Sequence, residues 1–379
     1  MLRAGSSASC YGSMVGCPTT RQRVKRSQVG EEALLPRAEV TCDARYPRRT
    51  RGAPPLLGSG HRVLLGDLSR GPQEPEPKRE EVEPYLAALL QAEHFNLLVG
   101  SGLTAGLSQL ASFKEGADMG ANPVLADGVL AGVLEAAART TAEHNGRGEP
   151  NIEDRLRVAI AACEGLGYLG DDRAVVIQDA VNHALDGLRS SLVATEAALA
   201  GSMDEPVTGS MTLRGLLMTF LGSFAGRAPT RDRLHVFTTN YDRVIEWGAE
   251  LAGLRVVDRF VGSLQPVFRS SRLEVDYHYS PPGTVHDPRH LDGVFRLTKL
   301  HGLLDWKWDS ANRRVVRASQ PFGAMASTNL QEMLIFPQSA KDVETTFYPY
   351  ADLFRDLSFS LCRPHTASSR MATASVMIT

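Results

Sequence analysis

The chain has 379 residues, of which 43% are hydrophobic and 22% are charged, and its formal net charge is −2. These values are typical of a soluble globular protein with one large or two ordinary domains, and they predict binding neither to nucleic acid nor to membranes. No apolar run approaches the roughly 20 residues of a membrane span. The five cysteines include no C-x-x-C pair, so we expect neither a disulfide framework nor a zinc ribbon, and a cytoplasmic location is predicted.

Residues 1–83 are predicted to form a disordered or peripheral basic arm. Residues 1–60 hold ten Lys or Arg against four Asp or Glu, and Pro and Gly interrupt the chain through about Pro77. A segment of this composition buries too little apolar surface to fold by itself. A dispensable extension is the favoured interpretation, and a transit peptide and a nucleic-acid-binding arm are the alternatives.

A helix over residues 81–93 and a buried strand over His94–Val99 are predicted next, and the strand ends in Gly100-Ser101-Gly102-Leu103-Thr104. Glycines at such a turn let a phosphate approach the backbone near a helix N-terminus. The run G-x-G-x-x-A fits the loose dinucleotide fingerprint. However, no second strand ending in an acidic residue follows about 20 residues later, so an ordinary dehydrogenase unit is disfavoured. A plain tight turn is the alternative.

The pattern over residues 124–225 is helical, and we interpret it as a large helical insertion between the first two core strands. Within it the sequence predicts a helix start at Asn151, a long helix over 174–199, a loop over 201–209 and a helix over 211–224. The apolar stripes of these helices are interpreted as packing surfaces.

The most informative stretch, residues 233–246, reads RLHVFTTNYDRVIE. A short apolar strand ends in Thr238-Thr239-Asn240-Tyr241, and Asp242 takes the predicted N-cap position of an amphipathic helix. Open α/β sheets build ligand sites where a strand ends in hydrogen-bonding side chains at a helix N-terminus. Considered singly, Asp242 also fits a simple helix cap and Asn240 also fits an ordinary loop residue.

A strand over residues 294–300 is predicted to run straight into His301-Gly302. The remaining predictions are strands over 255–258, 313–317 and 334–336, a loop over 259–262, an irregular region over 263–288, a helix over 347–361 and an irregular tail over 362–379. The histidines in the irregular region have no ligand-like companions, so scattered surface residues are favoured over a metal site.

Three segments, in this order, resemble the sirtuin-like (silent information regulator two-like) family, and most closely its prokaryotic NAD-hydrolysing branch, many members of which act in anti-phage defence. Residues 100–104 match the family's G-[AS]-G-x-[ST] loop, residues 238–242 match T-x-N-[IY]-D, and residues 300–306 match L-H-G-x-x-D-W. The resemblance covers about 84–361. It implies an α/β fold with a Rossmann-like, mostly parallel sheet and helices on both faces.

The resemblance implies that NAD⁺ is the substrate and that it is cleaved to nicotinamide and ADP-ribose, without a metal. Asn240 would hold a water or the ribose hydroxyls, Asp242 would orient the nicotinamide carboxamide, and His301 would be the general base. An unperturbed imidazole titrates near ~6.5, which suits this role. The implied NAD-binding residues are Gly100, Ser101, Gly102, Leu103, Thr104, Thr238, Thr239, Tyr241 and Gly302.

The chain departs from the family in two places. Protein-deacylating sirtuins carry a zinc module with two C-x-x-C pairs, which this chain lacks, so hydrolysis is favoured over deacylation. The NAD-hydrolysing relatives continue after a helix like 347–361 with a further strand and a glycine-rich segment. No such pattern follows Cys362, which predicts a truncation or frameshift, a missing last strand and an inactive chain.

Two classes of alternative function stay open. One is an NAD-dependent protein deacylase or ADP-ribosyltransferase, and the other is a non-catalytic sensor of NAD or ADP-ribose. Because an unregulated NADase would be toxic, we expect activity to need a trigger. The expected trigger is either homo-oligomerisation or the binding of an activating partner protein.

Overall fold

The computed structural model describes residues 79–111, 123–144, 148–228, 231–271, 275–279, 289–324 and 348–371. The helices are α1 (Arg79–Gln91), α2 (Gly102–Leu110), α3 (Gly128–His144), α4 (Ile152–Tyr168), α5 (Arg173–Gly201), α6 (Leu213–Ala225), α7 (Val244–Leu251) and α8 (Tyr350–Cys362). The strands are β1 (His94–Val99), β2 (Pro206–Thr208), β3 (Met211–Thr212), β4 (His235–Thr238), β5 (Arg255–Val257), β6 (Phe260–Val261), β7 (Val267–Phe268), β8 (His278–Tyr279), β9 (Arg289–His290), β10 (Val294–Lys299), β11 (Trp306–Asp309), β12 (Arg314–Arg317) and β13 (Thr366–Met371).

The main sheet has five parallel strands in the order β13-β1-β4-β10-β5 and is flanked by helices, as the predicted α/β class requires. Three strands end at the same level, because Thr238 pairs with both Val99 and Lys299. β4 lies on one side of β1 and β13 lies on the other, so the strand order changes direction at β1. Open α/β sheets bind ligands in the crevice at such a point, outside the carboxyl ends of the strands.

Alternate side chains of the sheet enter two different cores, as the two-residue period of a strand requires. Leu97 and Val236 pack into a core shared with α2, α6 and α7. Leu98 and Phe237 face the opposite core, which includes Leu353 of α8. The strands β1 and β4 are therefore buried on both faces, which explains why apolar residues are adjacent in each of them, Leu97-Leu98-Val99 in β1 and Val236-Phe237 in β4.

A second sheet, antiparallel and in the order β11-β12-β7-β6, packs beside the opposite core. Two predictions are corrected here. The predicted loop at 259–262 contains β6, and the predicted irregular region contains β7 and β8. Strands of two residues are too short for periodicity to reveal them. The strand predicted over 313–317 forms as β12, whereas the one predicted over 334–336 lies outside the described residues.

Helices α3, α4 and α5 share a core of their own. The predicted helix start at Asn151 is confirmed, because its side chain accepts from the Asp154 N–H group while the Asp154 side chain accepts from the Asn151 N–H group. The long helix predicted over 174–199 is confirmed as α5. Tyr241 and Leu304 also belong to this core, so the helices contact both polar segments that follow β4 and β10.

The chain between α5 and α6 forms a small hairpin, β2-β3, where the sequence predicts a loop and a helix start. The helix therefore begins at Leu213, two residues later than predicted. Thr212 precedes it, and its hydroxyl accepts a hydrogen bond from the Gly215 N–H group over 3.2 Å. That bond satisfies one of the free donors in the first turn.

The two ends of the described chain differ from prediction. Helix α1 begins at Arg79, inside the segment predicted to be peripheral, and residues 1–78 lie outside the described residues. The predicted irregular tail is wrong for residues 366–371, because they form β13 in parallel register with β1, from His94 opposite Thr366 to Val99 opposite Met371. No helix in the described ranges is both long and apolar enough to cross a bilayer.

Candidate functional site

The three polar segments that the sequence analysis singled out meet at the carboxyl edge of the parallel sheet. We call residues 100–104, 238–242 and 299–305 the sheet-edge site. The Leu300 N–H group donates to the Thr238 carbonyl over 2.8 Å, and the Leu304 N–H group donates to the Tyr241 carbonyl over 3.2 Å. These backbone bonds fasten the segment after β10 to the segment after β4. The structure thus brings together residues that are about two hundred positions apart at the two ends of this set.

Asp242 is buried and uses both carboxylate oxygens within the protein. Its Oδ2 accepts a hydrogen bond from the Thr104 hydroxyl over 2.7 Å, and its Oδ1 accepts from the Val244 N–H group over 3.2 Å. The second bond is a helix-capping bond, although the residue immediately before α7 is Arg243 and not the predicted Asp242. A carboxylate has about four acceptor positions, so Asp242 can still accept from a ligand.

Asn240 is 6% exposed and has its amide group fixed in one orientation. Its Nδ2 donates to the Gly100 carbonyl over 3.0 Å and lies 3.4 Å from the Thr104 hydroxyl, while its backbone N–H donates to Thr238 Oγ1 over 3.1 Å. Among the described residues, its Oδ1 has no hydrogen-bond partner. Buried polar atoms are nearly always satisfied, so this oxygen, like the buried Asp305 Oδ1, is available to accept a hydrogen bond from a ligand.

The glycine loop is shorter than the resemblance implies. Helix α2 begins at Gly102, and the Leu103 N–H group already donates to the Gly100 carbonyl over 3.2 Å. The Thr104 hydroxyl donates to Asp242 Oδ2, so it supports another residue of the site. Ser101 is exposed at the N-terminus of α2, where free backbone N–H groups and the helix dipole favour an anion.

His301 is half-buried and lies two residues after Lys299, the last residue of β10. Its ring centre lies 6.1 Å from that of Tyr241 and 6.4 Å from that of Phe354. Gly302 follows with φ +84°, a left-handed conformation that suits glycine. The residues after this turn, from Leu303 to Trp306, are buried, whereas His301 stays partly exposed.

Two of the predicted NAD-binding residues have other partners. The Tyr241 hydroxyl donates to Glu153 Oε1 of helix α4 over 3.0 Å, so this side chain joins the site to the helical core. Thr238 is fully buried, and its hydroxyl accepts from the Asn240 N–H group. Thr239 is half-buried. These residues shape the segment after β4, and only Thr239 keeps a partly exposed side chain.

Two ion pairs at the site, each with at least one buried partner, could not be recognised from the sequence. Lys299 is 3% exposed, and its Nζ lies 3.2 Å from Glu246 Oε2. Glu196 of α5 is 0% exposed and accepts from the Arg243 N–H group over 2.8 Å as well as from the Arg243 guanidinium. Charged residues in a sequence are usually solvated, so the only available signal was a lysine at the end of a buried strand.

Asp305 is 6% exposed and lies among these charges. Burial raises the pKa of its carboxyl to about 7, Glu246 adds to the rise, and Arg317, Arg243 and Lys299 act against it. Burial likewise raises the pKa of Glu246, against the pull of Lys299. A carboxyl that titrates near neutral pH is a group that can hold or release a proton at the pH of a cell.

Comparisons with protein-family models and with curated proteins find no match to this chain. Within the described ranges, no three His, Cys, Asp or Glu side chains gather in a way that could hold a metal ion. What the sheet-edge site binds is therefore inferred from its own side chains.

Proposed function

We propose that this chain is an NAD⁺ hydrolase that cleaves the bond between nicotinamide and ribose and releases nicotinamide and ADP-ribose. The observation that carries the proposal is the Asn240 side chain, whose Nδ2 is held by the Gly100 carbonyl while its buried Oδ1 has no partner among the described residues. The order of the three matched segments, each at the end of a strand of one parallel sheet, supports the same reading.

The fixed amide of Asn240 suits an acceptor role. Because Nδ2 is occupied by a backbone carbonyl, the free oxygen faces away from that bond and accepts a hydrogen bond from a water or from a ribose hydroxyl. A buried acceptor that is satisfied only by its ligand adds selectivity, since an analogue without the hydroxyl leaves the oxygen unsatisfied.

Hydrolysis requires a water to attack the anomeric carbon while the carbon–nitrogen bond breaks. The bonding electron pair goes to the nicotinamide nitrogen and neutralises its positive charge, so the leaving group needs no proton. His301 takes the proton of the attacking water. The developing ribosyl cation is stabilised by nearby negative charge, and Asp242 supplies a carboxylate at this edge.

The anionic part of the substrate is expected at the N-terminus of α2. Ser101 is exposed at the N-terminus of α2, where the first-turn N–H groups and the helix dipole favour phosphate oxygens. Helices α3 to α6 are proposed to be the large insertion of a sirtuin-like domain, with α4 and α5 bracing the segment after β4 through Tyr241 and Arg243. A role in anti-phage defence is the biological context that the resemblance implies.

The test is NAD⁺ consumption by the purified chain, with products separated by chromatography and NAD⁺ binding measured by calorimetry. Asn240→Ala and His301→Ala are each expected to reduce turnover by about a hundredfold or more, since general-base catalysis alone contributes 10² to 10⁴. His144→Ala, at an exposed position in α3, is the matched control and is expected to keep wild-type turnover. Binding without turnover would identify a sensor, and an acylated or protein-bound ADP-ribose product would identify a deacylase or transferase.

A further inference from the structure

Lys299 is the last residue of β10, two positions before His301, and it is almost completely removed from water. Its ammonium group has three donors. Its Nζ donates to the Asp242 carbonyl over 2.5 Å and to the Asn240 carbonyl over 3.5 Å, and it forms an ion pair with Glu246 Oε2 over 3.2 Å. Two of its three partners are therefore main-chain oxygens of the residues that line the sheet-edge site.

Fold stability alone does not account for this arrangement. Burying an ion pair costs desolvation that is often not recovered, and well-packed apolar residues of the same volume are commonly as stabilising. Unlike an apolar residue, a lysine donates hydrogen bonds, and those of Lys299 link the end of β10 to two carbonyl oxygens of the main chain after β4. The two carbonyl oxygens belong to Asn240 and Asp242. Lys299 itself ends β10, which is the strand that positions His301.

We propose that Lys299 is a positioning residue of the sheet-edge site, which holds the main chain of Asn240 and Asp242 in register with His301 while Glu246 pairs with its ammonium group. This inference rests on the proposed NAD⁺ hydrolysis for its effect on rate. Lys299 is too deeply buried to touch a substrate, so it acts only through the residues that it holds.

The experiment separates the charge-pairing role of Lys299 from its positioning role. Lys299→Met leaves the partly buried Glu246 without its partner, so both stability and turnover are expected to fall. The double variant Lys299→Met/Glu246→Gln removes both charges and is expected to regain stability. It still lacks the donor for the two carbonyls, so kcat is expected to stay at least tenfold below wild type, with KM within about threefold, because small displacements of reacting groups cost up to 10² in rate.

Lys307→Met is the matched control, since Lys307 lies half-buried on β11 outside the site. It is expected to match the wild type in kcat and in thermal midpoint. Recovery of both kcat and stability in the Lys299/Glu246 double variant would overturn the inference, because Lys299 would then be only the charge partner of Glu246.

Hydrogen exchange on the nucleotide-free protein tests the positioning role even if no NAD⁺ is consumed. The N–H groups of Asn240, Arg243 and Val244 are all hydrogen-bonded within the segment after β4. Exchange at residues 238–244 is expected to be at least tenfold faster in Lys299→Met and in the double variant. Wild-type exchange in the double variant would overturn the inference, whereas faster exchange without any NAD⁺ cleavage by the wild type would refute only the proposed function.

Discussion

The Thr104 hydroxyl donates a hydrogen bond to Asp242 Oδ2 over 2.7 Å, although the two residues are 138 positions apart. Thr104 lies in the first turn of α2, and Asp242 precedes α7. The bond therefore joins two strand-to-helix turns that leave neighbouring strands. It also fixes which oxygen of Asp242 faces the glycine loop and which caps α7.

Replacing Thr104 by Val tests this bond, because valine has nearly the same shape and lacks the hydroxyl. A buried carboxylate oxygen then loses its donor, and the free energy of unfolding is expected to fall by about 1 to 3 kcal/mol, with a loss of NAD⁺ turnover. Urea denaturation and the turnover assay measure the two effects. Thr104→Ser keeps the hydroxyl and is the control, and equal stability of the two variants would show that the bond contributes nothing.

The buried pair of Glu196 and Arg243 predicts a large effect of a single substitution. Arg243→Met leaves the fully buried Glu196 without its main partner, so a loss of about 3 to 5 kcal/mol is expected. The double variant with Glu196→Gln removes the unpaired charge and is expected to recover most of that loss in urea denaturation. Arg214→Met, which breaks an exposed pair with Asp204, is the control and is expected to change stability little. A loss for Arg243→Met no larger than that of the control would contradict the prediction.

Because His235 is buried in its neutral form, the protein is expected to lose stability in mild acid. Its ring nitrogens are bonded to the hydroxyls of Thr298 over 2.8 Å and Ser360 over 3.2 Å, and burial lowers its pKa to about 3. The unfolded chain takes up this proton near pH 6.5 and the folded chain does not. Stability is therefore complete above pH 6.5 and falls by about 1.4 kcal/mol per pH unit down to about pH 3.

His235→Gln keeps hydrogen-bonding atoms at this position and removes the titration. Between pH 7.5 and pH 5.0 the wild type is expected to lose about 2 kcal/mol more than this variant, measured by urea denaturation at each pH. Parallel pH profiles of the two proteins would mean that the histidine is protonated without cost in the folded state.

The contribution of Asp305 to the free energy of unfolding is expected to depend on pH in the opposite direction, because burial raises its pKa. Its pKa is raised to about 7 in the folded chain, from an ordinary value of 3.8. The unfolded carboxyl therefore ionises first, and its contribution to stability is lost as the pH rises from about 4 to about 7. Asp305→Asn is expected to be more stable than the wild type at pH 8, with the difference shrinking toward pH 4. Asp179→Asn on the exposed face of α5 is the control, and a pH-independent difference for Asp305→Asn would contradict the raised pKa.

The strands that deliver the site could be predicted from the sequence. β1, β4 and β10 are short apolar runs that end in polar residues, and such runs indicate buried strands because both faces of the central sheet are covered. The capping box at Asn151 was equally visible, since its bonds span only three residues. In each case the interactions that determine the element are local or repeat along it, so the order of its side chains is sufficient to predict it.

The partners of the site residues could not be predicted in this way. β13 reads Thr-Ala-Ser-Ser-Arg-Met and has no apolar pattern, and it becomes a strand because its backbone pairs with β1. Lys299 and Glu196 look like ordinary solvated charges in the sequence, yet both are buried against the segment after β4. Backbone pairing and buried charge pairing join residues far apart in the chain. Their energies depend on distances and on exclusion of water, which exist only once the tertiary structure has formed.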